Sequence, residues 1–415
     1  MEKTPKSLRL QLGVFGRTNV GKSSFLNMIA GQDVAMTSEI PGTTTDVVEK
    51  AIELLPIGPV TILDTAGIDD TSALAEQRIE RARRIFDRAD IAILVVEPDK
   101  WTPFEDELIE VSKRYKIPFL IVINKTDLGE PSRKFLDMLA LKSGRVVAVS
   151  SILADGRDEY IKQVKSALAG LLPKEFTTPM PLVGDLVRPG GIAVFIVPID
   201  LQAPKGRLIL PQVQSIRDIL DSDAISMVVK EREYPHLLRM INQKPDVVVC
   251  DSQVVMKMVA DTPPDVRCTT FSILFSRFKG DLQEEARGAA MIDHIRPGDR
   301  ILIFEACSHH AMEDDIGRVK IPRWLRQYLG ADTEIDVVAG RDYPKNLKDY
   351  KLIIHCGGCM LTRHEKLLRI QKARAAGVPI TNYGITISKL QGVIGRVLSP
   401  FPAALEAYRE AAAPE

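Results

Sequence analysis

Near its N-terminus the chain carries a glycine-rich run at residues 16–24, "GRTNVGKSS", which limits the folds open to this region. The run matches the pattern G-x-x-x-x-G-K-S and lies between a strand-like segment, "RLQLGVF", and a helix-like segment, "SSFLNMIAG". A loop of this kind closes its backbone N–H groups around phosphates at the point where a buried strand leads into a helix. We therefore predict an α/β domain with a P-loop in the N-terminal part of the chain.

The residue types in this loop match the needs of a nucleotide bound with magnesium. Lys22 supplies a positive charge to the outer phosphates, and the Ser23 hydroxyl binds Mg²⁺. The other residues of the loop that we predict to contact GTP are Gly16, Asn19, Val20, Gly21 and Ser24. The alternative, a glycine-rich turn without a ligand, is disfavoured because further nucleotide motifs follow in order.

Two of those motifs end strand-like runs further along the chain. "DTAG" places Asp64 where it holds Mg²⁺ through water, and Gly67 where its N–H meets the γ-phosphate. In "NKTD", the Asp127 carboxylate can accept two hydrogen bonds from guanine, whereas adenine offers no such pair of donors on that edge. The other residues predicted at the base are Asn124, Lys125, Ser150 and Ser151. The ordered motifs together predict GTP binding.

Beyond these motifs, strand-like runs continue to alternate with amphipathic stretches, as in "GIAVFIVPI", "DVVVCDS", "DRILIFEAC" and "KLIIHC". This alternation predicts an α/β fold with mainly parallel sheets covered by helices. A chain of 415 residues is longer than one core usually supports. We therefore predict a P-loop GTPase domain at residues 1–172, followed by two smaller α/β domains at 182–265 and 268–410.

Composition narrows the possible partners and the compartment. The 55 lysines and arginines balance 55 aspartates and glutamates, so we predict no nucleic acid and no membrane as partner. The longest apolar runs fall far short of the ~20 residues that span a bilayer, and the first residues lack the apolar core of a signal peptide. Five cysteines, an odd number, argue against a disulfide framework. We expect a cytoplasmic protein.

Three of the cysteines follow apolar strands and lie in contexts typical of metal sites. Cys307 belongs to "EACSHH", and Cys356 and Cys359 belong to "HCGGC". If both strands lie in one parallel sheet, the three thiols converge at the edge formed by the carboxyl ends of the strands. The polar side chains predicted near the same edge are Glu305, His309, His355, Asn382 and Tyr383.

The residues alone leave three interpretations of these thiols open. They could be buried structural cysteines, as we expect for Cys250 and Cys268, which lack such a grouping. They could form a closed zinc site with a histidine as fourth ligand. They could also hold an iron–sulfur cluster on three thiolates. The fourth iron of that cluster would then carry a histidine, a carboxylate such as Glu305, or an exchangeable ligand.

The N-terminal motifs resemble those of the Era and TrmE branch of small GTPases. "PGTTTD" at residues 41–46 resembles the switch I segment of that branch, and Thr44 matches its magnesium-sensing threonine. Asn19 matches the asparagine that helps bind a monovalent cation in potassium-dependent members. Ile68 stands where Ras-like proteins carry a glutamine that orients water, and an isoleucine cannot do this. The resemblance therefore implies hydrolysis that depends on K⁺.

Over nearly its full length, the chain resembles the FeFe-hydrogenase maturation GTPase family, HydF. The resemblance implies a 4Fe-4S cluster on Cys307, Cys356 and Cys359, with His309 and His355 at positions whose ligand role varies within the family. It also implies a scaffold and carrier that holds the diiron subcluster precursor as cargo and delivers it to apo FeFe-hydrogenase. The middle domain would form a homodimer, and the C-terminal domain would bind the cluster.

One absence bears on the chemistry that this resemblance implies. The sequence contains no Cys-x-x-x-Cys-x-x-Cys pattern of a radical-SAM enzyme. We therefore expect radical-SAM maturases to make the carbon monoxide, cyanide and bridging ligands and to act as partners. The competing function is a regulatory GTPase with a zinc-stabilised C-terminal domain, acting in tRNA modification or ribosome assembly. Balanced charge and an aromatic content of 6% disfavour its RNA-binding form.

Overall fold

The structure is a computed structural model, and its packing divides the chain into two compact units, Met1–Pro179 and Met180–Glu415. It describes residues 4–31, 48–64, 75–178, 180–198, 208–306, 315–340, 343–344 and 346–413. Across these ranges, no helix combines the length and the apolar character needed to cross a membrane.

The first unit is built on one six-stranded sheet. Its strands are β1 (Leu10–Phe15), β2 (Val48–Leu54), β3 (Gly58–Asp64), β4 (Ile91–Val96), β5 (Phe119–Ile123) and β6 (Val146–Ala148). Their order is β2-β3-β1-β4-β5-β6, and β2 pairs antiparallel with β3 whereas the other pairs are parallel. Every residue of β1 and β4 is buried, as in a parallel sheet that is covered on both faces.

Helices cover both faces of this sheet and form two apolar cores. They are α1 (Lys22–Ala30), α2 (Ala75–Phe86), α3 (Pro103–Tyr115), α4 (Arg133–Lys142), α5 (Arg157–Ala169) and the short α6 (Lys174–Thr177). Phe25 and Leu168 belong to the core on one face, and Phe86 and Leu139 to the core on the other. The carboxyl ends of the strands are therefore left for the loops that carry the nucleotide motifs.

The second unit contains two four-stranded parallel sheets. The first comprises β7 (Ile192–Ile196), β8 (Ile225–Val229), β9 (Val247–Cys250) and β10 (Arg267–Thr270), in the order β10-β9-β7-β8. The second comprises β11 (Arg300–Glu305), β12 (Glu334–Ala339), β13 (Leu352–His355) and β14 (Ile380–Asn382), in the order β12-β11-β13-β14. Both sheets thus have the same strand order relative to the sequence.

One apolar core joins these two sheets. Phe195 of β7 and Ile303 of β11 belong to it, while Ile353 and Ile370 belong to a smaller core on the other face of the last sheet. The helices are α7 (Leu210–Asp221), α8 (Tyr234–Met240), α9 (Val255–Asp261), α10 (Phe271–Lys279), α11 (Leu282–Ala290), α12 (Ile321–Leu329), α13 (Arg363–Ala375), α14 (Tyr383–Leu390), α15 (Ile394–Leu398) and α16 (Pro402–Ala412).

The predicted fold class is confirmed: an α/β chain with a P-loop domain and further domains whose sheets are parallel. The predicted division into three domains stays a prediction, because the packing separates two units. The first sheet of the second unit extends to Thr270, beyond the residue 265 at which we ended the middle domain.

Candidate nucleotide and thiol sites

The P-loop connects β1 to α1, and two of its glycines are required by its geometry. A Cβ at Gly16 would lie 2.4 Å from the Val95 carbonyl oxygen, and one at Gly21 would lie 2.3 Å from the Asn124 amide nitrogen. Gly21 also has a φ of 88°, in the left-handed region that favours glycine. Because Gly21 directly precedes α1, the loop presents the N-terminus of that helix to a phosphate, as a P-loop must.

The side chains of the P-loop hold the loop in a closed shape. The Lys22 ammonium donates hydrogen bonds to the carbonyl oxygens of Gly16, at 2.7 Å, and Arg17, at 3.0 Å. Arg17 in turn pairs with the fully buried Glu105 of α3 at 2.7 Å. Arg17 and Glu105 are 88 residues apart, and sequence reasoning assigned neither of them to the site. Among the predicted contacts, Asn19, Ser23 and Ser24 are exposed.

Asn124 links three of the predicted motifs. Its amide donates a hydrogen bond to the Val20 carbonyl oxygen at 2.9 Å, which connects it to the P-loop. Its side-chain oxygen accepts bonds from the Ser151 N–H, at 3.2 Å, and the Ser151 hydroxyl, at 2.7 Å. The Asn124 side chain is buried, so these bonds are shielded from water. Residues of the P-loop, of "NKTD" and of "VSS" are thereby held together at one edge of the sheet.

The residues predicted at the base lie beside this asparagine. The Ser150 hydroxyl donates to the Asp127 carboxylate at 2.6 Å, which orients the acid that we expect to read guanine. Lys125 pairs with Glu97 at 2.6 Å. Hydrogen bonds from Lys125 and Lys100 hold the pKa of Glu97 below its ordinary value. An ionised Glu97 therefore fixes the Lys125 side chain.

Asp64 ends β3 and is buried, next to the strand that leads into the P-loop. This position places it at the same edge of the sheet as the P-loop residues Lys22 and Ser23. Three further predicted residues, Thr44, Gly67 and Ile68, lie outside the described residues.

The thiols of the second unit lie at the carboxyl edge of the last sheet. β11 and β13 are neighbours, with Phe304 opposite His355. Cys356 follows β13, and its sulfur accepts a hydrogen bond from the Ala306 N–H at 3.2 Å. Ala306 directly precedes Cys307 in the sequence. Cys356 and Cys359 are partly exposed.

Two of the residues predicted for this site, Cys307 and His309, lie outside the described residues. Within the described ranges, no group of three His, Cys, Asp or Glu side chains is arranged to hold a metal ion. Cys250 and Cys268 are fully buried in β9 and β10, and burial raises the pKa of both thiols, to about 11 for Cys268.

His355 is fully buried and binds a carboxylate that sequence reasoning missed. Its Nε2 lies 3.0 Å from Oε1 of Glu285, which is also fully buried. Burial lowers the pKa of His355, so the ring is neutral and its Nε2–H donates to Glu285. Nδ1 then carries a lone pair, and this buried atom has no hydrogen-bond partner in the described part of the chain. If His355 binds a metal, it does so through Nδ1.

Glu285 is the centre of a buried polar network. It accepts hydrogen bonds from Ser276, at 2.5 Å, and from Asn382, and it lies 3.3 Å from the ammonium of the fully buried Lys366. Burial by itself would raise the pKa of Glu285, but Lys366 and His355 hold it below its ordinary value. The network therefore contains an ionised carboxylate next to His355, the residue that precedes the thiol loop (residues 356–362, between β13 and α13).

Glu305 has partners of its own. Its carboxylate pairs with Arg318 at 3.0 Å and accepts a bond from the Tyr383 hydroxyl at 3.4 Å. The residue is 1% exposed. As an iron ligand, Glu305 would have to leave Arg318. Asn382 and Tyr383 lie at this edge as expected, where they bind carboxylates of the network and of β11.

The loop that carries Cys359 also encloses a lysine. The Lys279 ammonium donates hydrogen bonds to the carbonyl oxygens of Cys359, at 3.0 Å, and Leu361, at 2.9 Å. Burial lowers the pKa of Lys279 to about 8, an effect that the nearby Cys359 opposes. Burial likewise raises the pKa of Cys359, and Lys279 opposes that shift. The charges of the two side chains are therefore coupled.

The first unit has the architecture of a P-loop GTPase. Its P-loop lies between β1 and α1, and its predicted guanine-binding motif lies around Asn124. Residues 11–125 match the family described as 50S ribosome-binding GTPase. Residues 182–280 match the hydrogen maturase F dimerization domain, and residues 283–400 match the hydrogen maturase F tetramerization domain. The chain belongs to the hydrogen maturase F (HydF) family, with an N-terminal GTPase domain. The predicted family and the predicted GTPase class are confirmed.

Curated relatives match the chain over a smaller region. The tRNA modification GTPase MnmE of Synechococcus sp. (strain JA-2-3B'a(2-13)) is 43% identical over 123 residues, which are 29% of this chain and 26% of that protein. The protein of the same name from Clostridioides difficile (strain 630) is 33% identical over 159 residues, 38% of this chain and 34% of that protein. The chain thus spans about a quarter to a third of these relatives.

Among solved structures, the G domain of the T. maritima FeoB iron transporter shares 21% identity at a TM-score of 0.30. That match covers 39% of this chain and 99% of that one. A probable GTP-binding protein, engB, shares 20% identity at a TM-score of 0.30, with 39% and 99% coverage.

Proposed function

We propose that this chain hydrolyses GTP and acts as an iron–sulfur scaffold, which holds the diiron subcluster precursor and delivers it to apo FeFe-hydrogenase. The proposal rests on the sheet edge at which the neighbouring strands β11 and β13 end. There the Cys356 sulfur accepts a hydrogen bond from the N–H of Ala306, the residue before Cys307. This edge belongs to a chain whose second unit matches two hydrogen maturase F domains. Radical-SAM maturases would supply the cargo.

The residues at this edge fit a 4Fe-4S cluster held by Cys307, Cys356 and Cys359. A backbone N–H already points at the Cys356 sulfur, as in cluster sites where hydrogen bonds stabilise thiolates. The Nε2–H of His355 donates a hydrogen bond to the Glu285 carboxylate, and Nδ1 has no partner in the described part of the chain. A metal-ligating histidine usually has this arrangement. When bound, the cluster would supply an iron without a protein thiolate, to which the cargo attaches.

The fourth iron has several candidate ligands. His309 or His355 could occupy it, and so could Glu305 or an exchangeable ligand. Two observations support a preference between them: the carboxylate of Glu305 is paired with Arg318, whereas Nδ1 of His355 has no described partner. We therefore favour His355 over Glu305.

In the first unit, we propose that GTP is bound by the P-loop, by Asp127 and by Ser150 and Ser151. Magnesium would be held by Ser23, Thr44 and Asp64. A γ-phosphate orders switch segments and hydrolysis releases them, so the nucleotide would control when cargo is taken up or delivered.

Potassium dependence is the first testable consequence. Asn19 is exposed in the P-loop with a φ of 64°, a conformation that asparagine tolerates better than most residues. We propose that its side chain helps bind K⁺ beside the phosphates. Replacing sodium with potassium should raise kcat several-fold, and Asn19→Ala should remove that response. Asn242→Ala, an exposed asparagine of the second unit, is the control. Equal rates in both salts for the unmodified protein would exclude the idea.

Self-association is supported by the two matched domains, which are named for dimerization and tetramerization. We propose a homodimer formed at the edge strand β8. Its Ile225 and Val228 are 47% and 45% exposed, and Val213 and Leu220 of α7 are exposed as well. An apolar edge strand with unpaired backbone groups can pair with its copy about a two-fold axis.

This interface predicts that Val228→Lys halves the molecular mass in solution, because a charge on an apolar edge opposes pairing. Sedimentation equilibrium measures the mass directly. Met256→Lys, at an exposed position on α9, should leave the mass unchanged. A Val228→Lys protein with the mass of the unmodified protein would rule out this edge as the interface.

The function itself is tested by activation of apo FeFe-hydrogenase. Protein purified without oxygen and loaded with the diiron precursor should restore hydrogen production, and the unloaded protein should not. A colourless protein with stoichiometric zinc and no effect on the hydrogenase would instead favour a zinc-stabilised regulatory GTPase.

A further inference from the structure

Lys279 places a buried positive charge against the thiol loop. It is the last residue of α10 and is 1% exposed. Its ammonium donates to the carbonyl oxygens of Cys359 and Leu361, at 3.0 and 2.9 Å, and lies 5.5 Å from the centre of the Phe275 ring. The side chain thus fixes the loop on both sides of Met360.

This ammonium differs from the other buried lysine of the region in its partners. Lys366 lies 3.3 Å from the Glu285 carboxylate. Lys279 has no carboxylate within 4 Å among the residues that the structure describes, and its hydrogen bonds go to neutral carbonyl groups. Burying a charge without a counter-charge is costly, and neutral acceptors offset only part of that cost. The loop therefore encloses the positive charge of Lys279, which a nearby anion would stabilise.

We propose that Lys279 is a positioning residue for the iron–sulfur cluster: it shapes the loop that presents Cys359 and offsets the negative charge of the cluster and its thiolates. The inference rests on the proposed role of the thiols in binding a cluster. Net charge and nearby hydrogen-bond donors set the reduction potential of such clusters. If Lys279 only shaped the loop, replacing it would destabilise the protein equally with and without the cluster. Comparing the two forms therefore separates the two roles.

The test compares Lys279→Met and Lys279→Gln with the unmodified full-length protein, after anaerobic reconstitution with ferrous iron and sulfide. Lys244→Met is the control, because Lys244 is exposed and pairs with Asp265 on the surface. Three quantities are measured: the rate at which a chelator removes iron, the midpoint potential of the cluster, and thermal unfolding with and without the cluster. Glutamine keeps a hydrogen-bond donor, so this variant carries the test if the methionine variant does not fold.

We expect both variants to lose iron about tenfold faster, the effect of losing one charged interaction. Their midpoint potentials should shift to more negative values, and unfolding temperatures should fall more with the cluster than without it. An unchanged potential and rate of iron loss would overturn the inference, as would equal destabilisation of both forms. In either case the unmodified protein would still hold a cluster and the proposed function would stand. An unmodified protein that takes up no cluster would overturn both.

Discussion

Cys356→Ala is expected to lose the iron–sulfur cluster while keeping GTP hydrolysis. Cys356 is one of three predicted thiolates, and its sulfur already accepts the Ala306 N–H at the edge where β11 and β13 end. Removing it leaves two thiolates for four irons, and retention of iron against a chelator should fall at least about tenfold. Iron and acid-labile sulfide in protein purified without oxygen measure this loss.

The control for this change is Cys268→Ala, which removes a buried thiol from β10. It should cost about 1 kcal/mol of stability or less, and iron content should stay at the level of the unmodified protein. GTP hydrolysis should survive in the Cys356 variant because the GTPase domain has its own sheet and its own cores. A stable four-iron complement in Cys356→Ala would contradict the assignment of the cluster to this motif.

The second large effect is expected from Lys22→Ala in the P-loop. Lys22 is the only lysine in the loop sequence, and it holds the loop closed through the carbonyl oxygens of Gly16 and Arg17. With nucleotide bound, its charge would move to the phosphates and stabilise the charge that develops during hydrolysis. We expect kcat to fall by about 10²–10³-fold or more, measured as phosphate release under saturating GTP.

Lys113→Ala is the matched control, because Lys113 is exposed on α3 and pairs with Glu110 one turn away. Its kcat should match that of the unmodified protein. A Lys22→Ala protein that hydrolyses GTP within a few-fold of the normal rate would show that the phosphates bind elsewhere. Iron content should be unaffected by either change.

The nucleotide motifs could be predicted because each is local in sequence. A phosphate loop needs a strand, glycines and a helix start within a few residues, and Gly16 and Gly21 occupy positions where a Cβ would clash. The supports of the loop could not be predicted in the same way. Arg17 and Glu105 meet only because α3 packs beside the P-loop, and Glu105 looks like an ordinary surface acid in "PFEDELIE".

At the thiol edge, the two strands that we expected in one parallel sheet do pair with each other. β11 and β13 are adjacent, and Asn382 lies opposite His355. The charged residues beneath the loop were missed. Lys279 is the last residue of the helix "FSILFSRFK", and Glu285 lies in the charged run "QEEAR" of the next helix. Only tertiary packing shows that both side chains are buried.

The middle of the chain shows a different limit of sequence reasoning. No internal repeat is visible between residues 182–265 and 268–410, yet both sheets have the same strand order. Right-handed crossover connections restrict the strand orders that a parallel sheet can adopt, so unrelated sequences can share one order. The boundary that we predicted between the two smaller domains stays a prediction, since Phe195 and Ile303 belong to one apolar core.

We propose that a GTPase and an iron–sulfur scaffold share this chain. The most direct test is to determine iron, acid-labile sulfide and zinc per chain in the unmodified protein after anaerobic reconstitution. We predict a brown protein with broad absorbance, about four irons and about four sulfides per chain, and no stoichiometric zinc. A colourless protein that holds one zinc per chain and no sulfide would contradict the claim.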